Sequence, residues 1–257
     1  MITNKIVNKI GLECEVLIRN QKDELVIPSD YSLSHDDFII LGEIRSLPYE
    51  TVQDTVFEFY KDYYAYETHV KHNKLFIDIQ DGWDMISPEY YSTILKRMGN
   101  KEISQAKNIY KTDILKLTDA VVEDGKIVGH KISCGLHIHF SSDIVITESH
   151  YVPKLDKLKE YLFYSSGSEE VKTETKLYSL LTNNIIKSII KGLDKDILSK
   201  FNIANQTLKF RNPGFYEIKP YGFEYRSLPF NNLVLDNLVE IVEYCFDKLN
   251  KLSKVLV

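Results

Sequence analysis

Gly222-Phe223-Glu224-Tyr225-Arg226-Ser227-Leu228-Pro229 nearly repeats an earlier stretch, Gly42-Glu43-Ile44-Arg45-Ser46-Leu47-Pro48, with one residue inserted after the glycine. Successive side chains of a strand point to opposite faces, so a Glu and an Arg two apart share one face. Two other stretches follow the same rule. Glu13 and Glu15 alternate with Leu12, Cys14 and Val16, and His137 and His139 alternate with Leu136, Ile138 and Phe140. Each reads as a strand with one apolar face and one face of charged or metal-competent groups. Four such strands in one sheet make a floor of four carboxylates, two imidazoles and two guanidiniums.

A single Glu-x-Arg on a strand is ordinarily a solvated ion pair contributing about 0–1 kcal/mol, and a single strand histidine is ordinarily satisfied by a neighbour. Four segments with one pattern point instead to a reaction site. Because the His strand and the first Glu strand each bury their other face, both belong in the middle of the sheet.

The 257 residues can bury a substantial core, and 44% hydrophobic with 27% charged residues is an ordinary globular composition. Seventeen Tyr and twelve Phe suit a sheet-rich fold. A net charge of −5 argues against a general nucleic-acid partner. No apolar run approaches the roughly 20 residues of a membrane span, and the start lacks a signal peptide's apolar core and cleavage site. Cys14, Cys134 and Cys245 sit in apolar settings, odd in number and without metal-binding spacing. They read as reduced core residues of a cytoplasmic protein.

Turn signals and periodicity give an outline. A first strand spans about 9–19, followed by a turn at 28–32 and an alternating stretch over 37–47. Pro48 opens a helix to about Tyr66, with Val52, Val56, Phe59, Tyr60 and Tyr63 on one stripe. A strand is expected over 70–79, a helix over 89–97, and a hairpin turn at Glu123-Asp124-Gly125-Lys126 leading into the His strand. Helices are expected from Pro153 to Tyr164 and over roughly 170–201. Extended segments cover 207–212 and 216–228. A last helix over about 232–252 carries the stripe Leu235, Leu238, Ile241, Val242, Cys245, Leu249 and Leu252. The expected architecture is one α+β domain over 1–257. It has a curved, largely antiparallel sheet with helices, including the last, on its outer face.

If Glu13, Glu15, Glu43 and Glu224 converge within about 5 Å, each like-charged pair repels by roughly 3 kcal/mol at an effective dielectric near 20. Such a cluster takes up protons or binds cations, and hard oxygen donors with one imidazole favour magnesium or manganese. Arg45, Arg211 and Arg226 beside such ions suit a polyphosphate. No GxxxxGK[ST] or GxGxxG loop occurs, so phosphate binding falls to metals and strand arginines.

The ordered set Ile10-Gly-Leu-Glu-Cys-Glu15, Asp30-Tyr-Ser32, Gly42–Pro48, Cys134-Gly-Leu-His-Ile-His139 and Gly222–Pro229 resembles the carboxylate–amine ligases of the glutamine synthetase-like superfamily. Within it, the likeness is greatest to small amidoligases, phage-type COOH–NH2 ligases and glutamate–cysteine ligase. The resemblance implies a glutamine synthetase catalytic-domain-like sheet that binds ATP with magnesium (or manganese) ions. The γ-phosphoryl passes to a carboxylate, and an amine then displaces phosphate to form an amide. Substrates would be small-molecule or peptide carboxylates and amines, and a phage-encoded chain would act in the host cytoplasm.

By the same resemblance, Glu13 and Glu15 hold separate metal ions, and His137 and Glu224 share one ion. Glu43 is a further acidic ligand, with Asp30 or Asp81 as candidate companions. Arg226, Arg45 and Arg211 contact phosphate or carboxylate, and His139 is a phosphate contact or a structural neighbour. Substrate contacts are expected in loops 78–90, 142–153 and 164–172. Three other readings remain: a guanidino kinase of the same fold, a zinc hydrolase using His137 and His139, and a non-catalytic binding module. On charge repulsion alone, Glu224→Gln is expected to leave metal-free stability level or raised.

Overall fold

The computed structural model describes residues 2–99, 118–148, 174–201, 203 and 213–256. Among these, the strands are β1 (Ile2–Arg19), β2 (Gly42–Arg45), β3 (Phe76–Asp78), β4 (Trp83–Ile86), β5 (Asp119–Glu123), β6 (Lys126–Ser133), β7 (Gly135–Glu148), β8 (Glu174–Ser179), β9 (Tyr216–Lys219) and β10 (Gly222–Pro229). The helices are α1 (Val52–His72), α2 (Pro88–Arg97), α3 (Asn183–Lys200), α4 (Asn232–Asp236) and α5 (Leu238–Leu256), with a 3-10 turn at Pro28–Tyr31. The class is α+β, with two open antiparallel sheets. The larger runs β2-β1-β7-β10-β9, with β3 on one end of β1 and β8 along the far end of β7; the smaller runs β4-β6-β5.

All four charged segments fall on neighbouring strands of the larger sheet, with β1 and β7 central. Glu13 faces His137 across the β1–β7 ladder, Glu15 faces Glu43 across β1–β2, and Glu224 faces His139 across β10–β7. The register contains a local two-fold between Glu13 and His137. Gly42, Ile44 and Glu43 pair with Val16, Cys14 and Glu15 as Phe223, Tyr225 and Glu224 pair with Phe140, Ile138 and His139. The repeated words therefore flank the central pair symmetrically. A bulge between Tyr225 and Leu228 breaks this symmetry beside Arg226. Gly222 has φ +154, and a Cβ there would collide with the Phe140 carbonyl oxygen, so only glycine lets β10 start this close to β7.

The opposite face is the core. Leu12, Cys14, Leu136, Ile138, Phe140, Phe223 and Tyr225 have no exposed surface, and helices cover them. Phe59 and Tyr63 of α1 pack with Phe230, and α5 inserts Leu238, Ile241, Val242, Cys245 and Leu249. Truncating a buried aromatic such as Phe59 to Ala would cost about 3–5 kcal/mol. All three cysteines are free and buried, and no helix among the described residues is long and apolar enough to cross a membrane.

Several boundaries differ from the sequence outline. Thr51, not Pro48, starts α1: its Oγ1 accepts from the Asp54 N–H at 3.1 Å. The helix continues to His72 because Val70 extends the stripe seven residues beyond Tyr63, leaving only 76–78 as strand. Residues 174–179 are strand, paired with 143–148 of β7, so 142–148 is ladder and not loop. The hairpin after Glu123 does not lead directly into the His strand. Its second arm, β6, belongs to the small sheet, and the chain changes sheets at Cys134, whose N–H donates to the Gly82 carbonyl and whose own carbonyl accepts from Phe230 N–H. The last helix is interrupted at Asn237. The expected helix at 153–164, the extended segment 207–212, Arg211 and the loop at 164–172 lie outside the described residues.

Candidate metal and phosphate site

The polar face of the sheet is the floor of a cleft of about 540 Å³. Glu13, Arg45, His139, Glu224 and Arg226 line it, and Lys219 and Tyr221 close one side. His137, Glu15 and Glu43 lie beneath this lining. His137 has no exposed surface, and Glu13, Glu15 and Glu224 are each at most 4% exposed.

Burying three carboxylates around one imidazole needs compensation. His137 Nδ1 lies 2.9 Å from Glu13 Oε1 and 3.0 Å from Glu224 Oε1, so one nitrogen with one proton serves two carboxylates. Adjacent ligands on an octahedral magnesium at about 2.1 Å are themselves about 3 Å apart. Glu13, His137 and Glu224 thus have the donor types and the spacing of a divalent-cation site, with all three ligand atoms within 4.8 Å of one another. The other imidazole nitrogen, Nε2, is buried without a hydrogen-bond partner and lies 3.6 Å from Glu15 Oε1. Glu15 Oε2 accepts from the Gly135 N–H at 2.9 Å.

Cations divide the floor unequally. Burial pushes the Glu13 carboxyl up, but hydrogen bonds from His137 and His139 and the Arg45 charge hold it well below the usual carboxylate range. Glu224 behaves alike: burial opposes its ionisation, while His137 and Arg226 hold it well below the usual range. Burial and Arg226 oppose protonation of His137, yet the facing Glu15, Glu13 and Glu224 raise its pKa. Glu43 goes the other way, pushed to about 8 by burial and by Glu13, with the Arg45 charge opposing. Asp36, reaching in from the loop before β2, is raised to about 6 by burial and Glu15, against the Phe38 N–H and Arg226.

Arg45 Nε pairs with Glu13 Oε2 at 2.7 Å and with Glu43 Oε1. Arg226 Nη1 lies 2.7 Å from Glu224 Oε1. His139 accepts from or donates to Tyr221 Oη through Nδ1 at 2.5 Å and lies 3.3 Å from Glu13 Oε2 through Nε2. With both nitrogens so occupied, His139 sits as a neighbour of the triad, the second of the two roles expected for it, and the His137–His139 pair of the zinc-hydrolase alternative does not form the cluster. Asp30, a candidate companion to Glu43, instead pairs with Arg97 outside the cleft, and Asp81 is not among the cleft residues. The carboxylates that act on Glu43 are Glu13, Asp36 and Glu15, and Asp36 and Asp37 line the cleft.

Sequence reasoning missed Asp36 and Lys219. Asp36 sits in an irregular loop where no periodicity points a side chain. Lys219 was legible, because Glu217 and Lys219 alternate in β9 as Glu224 and Arg226 do in β10. The chain matches no protein-family model, no curated protein and no solved structure.

Proposed function

We propose that the chain is an ATP-dependent carboxylate–amine ligase of the glutamine synthetase-like superfamily, working on magnesium- or manganese-bound ATP. The observation that carries this reading is the Glu13–His137–Glu224 set, spaced as ligands of one hard cation, on a floor ringed by Arg45, Lys219 and Arg226. Glu15 and Glu43, opposite each other across β1 and β2, and Asp36 are the candidate ligands of a second cation, and the raised pKa values of Glu43 and Asp36 fit a corner in which burial and neighbouring carboxylates outweigh Arg45 and Arg226.

A bound divalent cation would neutralise charge on the phosphates. The chain's own residues do the rest by position. Arg226 and Lys219 hold phosphate oxygens on one side of the cleft and Arg45 holds the carboxylate substrate or phosphate on the other. A carboxylate oxygen attacks the γ-phosphorus and ADP departs. The amine nitrogen then attacks the acyl carbon, phosphate leaves with the bonding pair, and the nitrogen loses a proton to give the amide.

The test is ADP release with magnesium against pooled carboxylates and amines, with mass spectrometry of the products. The proposal expects a product equal in mass to carboxylate plus amine less one water. ADP formation with a phosphorylated nitrogen and no amide would make the chain a kinase instead. ATP-independent hydrolysis, or no ATP turnover with any pool, would remove the ligase reading.

A further inference from the structure

Glu217 lies directly across the ladder from Glu224, carboxylate opposite carboxylate, an arrangement that destabilises a sheet unless cations intervene. Two do. Lys219 Nζ lies 2.8 Å from Glu224 Oε2 and 3.0 Å from Glu217 Oε2. Arg226 Nη1 lies 2.7 Å from Glu224 Oε1 and 3.3 Å from the same Glu217 Oε2. Each cation touches both carboxylates, closing a ring of alternating charge along the cleft wall.

The ring and the triad share one atom. Glu224 Oε1 is bonded to Arg226 and also faces His137 Nδ1. A divalent cation ligated by Glu224 takes up the charge that Arg226 and Lys219 neutralise, and repels both. The ion pairs of Glu217 are to Lys219 and Arg226 and not to Glu13 or His137, so it can retain both cations when Glu224 is taken. The wall then changes from a balanced ring to one carboxylate holding two cations, which is a receptor for an anion.

We propose that Glu217 is a positioning residue for nucleotide binding: it keeps Lys219 and Arg226 at the cleft while the metal claims Glu224, so that metal binding builds the phosphate site. This rests on the metal–nucleotide reading of the cleft. Coupling of this kind is reciprocal, so nucleotide tightens metal by the factor that metal tightens nucleotide.

Simple charge bookkeeping and the proposal differ in sign. Removing a negative charge beside an anion site should tighten anion binding by charge alone. The proposal expects Glu217→Gln to weaken it, because the two cations lose their tether. Calorimetric titration with Mn2+, and then with ADP at saturating Mn2+, separates them. In Glu217→Gln, ADP affinity should fall about tenfold, while Glu217→Asp, which keeps the charge, should recover part of the loss. In Lys219→Met, Mn2+ alone should bind several-fold more tightly because a competing cation has gone, and ADP should bind more weakly. Unchanged or tighter ADP binding in Glu217→Gln overturns the proposal while leaving the metal site intact. Unchanged or weaker Mn2+ binding in Lys219→Met does the same. No Mn2+ binding by the unmodified protein overturns the metal reading and this inference with it.

Discussion

The two Glu-x-Arg strands carry nearly the same word and hold equivalent places about the two-fold between Glu13 and His137, yet their glutamates behave oppositely. Glu224 meets Arg226, Lys219 and His137 and stays ionised far below the usual range. Glu43 meets Glu13, Glu15 and Asp36, opposed by Arg45, whose side chain is 63% exposed. Sequence identity between two strands therefore fixes which side chains face the cleft but not their charge state. Neighbours from other strands and loops decide that, and here they make one half of the floor balanced and the other half short of positive charge.

The largest effect expected from this contrast is on the metal. Glu224→Gln should reduce Mn2+ affinity and any ATP turnover by two orders of magnitude or more, measured by calorimetry and ADP release. Glu43→Gln should reduce Mn2+ affinity at the triad by less than tenfold. Equal losses would erase the distinction between the halves.

Metal-free stability should separate them next. Removing one partner of a buried pair costs about 3–5 kcal/mol, so urea unfolding in EDTA should find Glu224→Gln destabilised by roughly 3 kcal/mol. This reverses the expectation from charge repulsion alone, because two cations and an imidazole depend on Glu224. That earlier expectation passes to Glu43: at pH 9, Glu43→Gln should be more stable than the parent by on the order of 1 kcal/mol.

The pH profile gives a smaller, signed test. Glu43, near 8, and Asp36, near 6, hold protons in the folded chain that an unfolded chain releases near pH 4. Their stabilisation is complete below that point and is lost as pH rises toward 8. Glu13 and Glu224 act oppositely: their contribution is present above the ordinary carboxylate range and is lost as pH falls below about 4. Without metal, stability should therefore decline from about pH 5 to pH 8, and Glu43→Gln should flatten that decline. A profile that rises over this interval would contradict the assigned charge states.

The smallest effect on the site belongs to the other face. Cys134→Ala removes a fully buried side chain and should lower stability by about 1 kcal/mol while changing Mn2+ affinity less than twofold.

Much of the floor was legible because strand periodicity is rigid. Alternation around Glu13, Glu43, His137 and Glu224 assigns each to a face, and the apolar partners Leu12, Ile44, Leu136 and Tyr225 demand burial on the other. That the first Glu strand and the His strand lie in the middle of the sheet followed from their buried apolar faces, whereas the order β2-β1-β7-β10 is set by the ladders themselves. Less regular features left no such trace. Asp36 enters from a loop, Lys219 gains its role from pairing across β9 and β10, and the occupied nitrogens of His139 depend on Tyr221 in a two-residue turn. The segment 174–179 falls in the helical region expected over 170–201, and its pairing with β7 shows it extended.

The central claim is that Glu13, His137 and Glu224 hold one divalent cation. Crystals soaked in Mn2+ and measured at the manganese absorption edge test it directly. The account predicts an anomalous peak about 2.1 Å from Glu13 Oε1, His137 Nδ1 and Glu224 Oε1. A cleft without an anomalous peak, or manganese bound only at surface carboxylates away from His137, would contradict it.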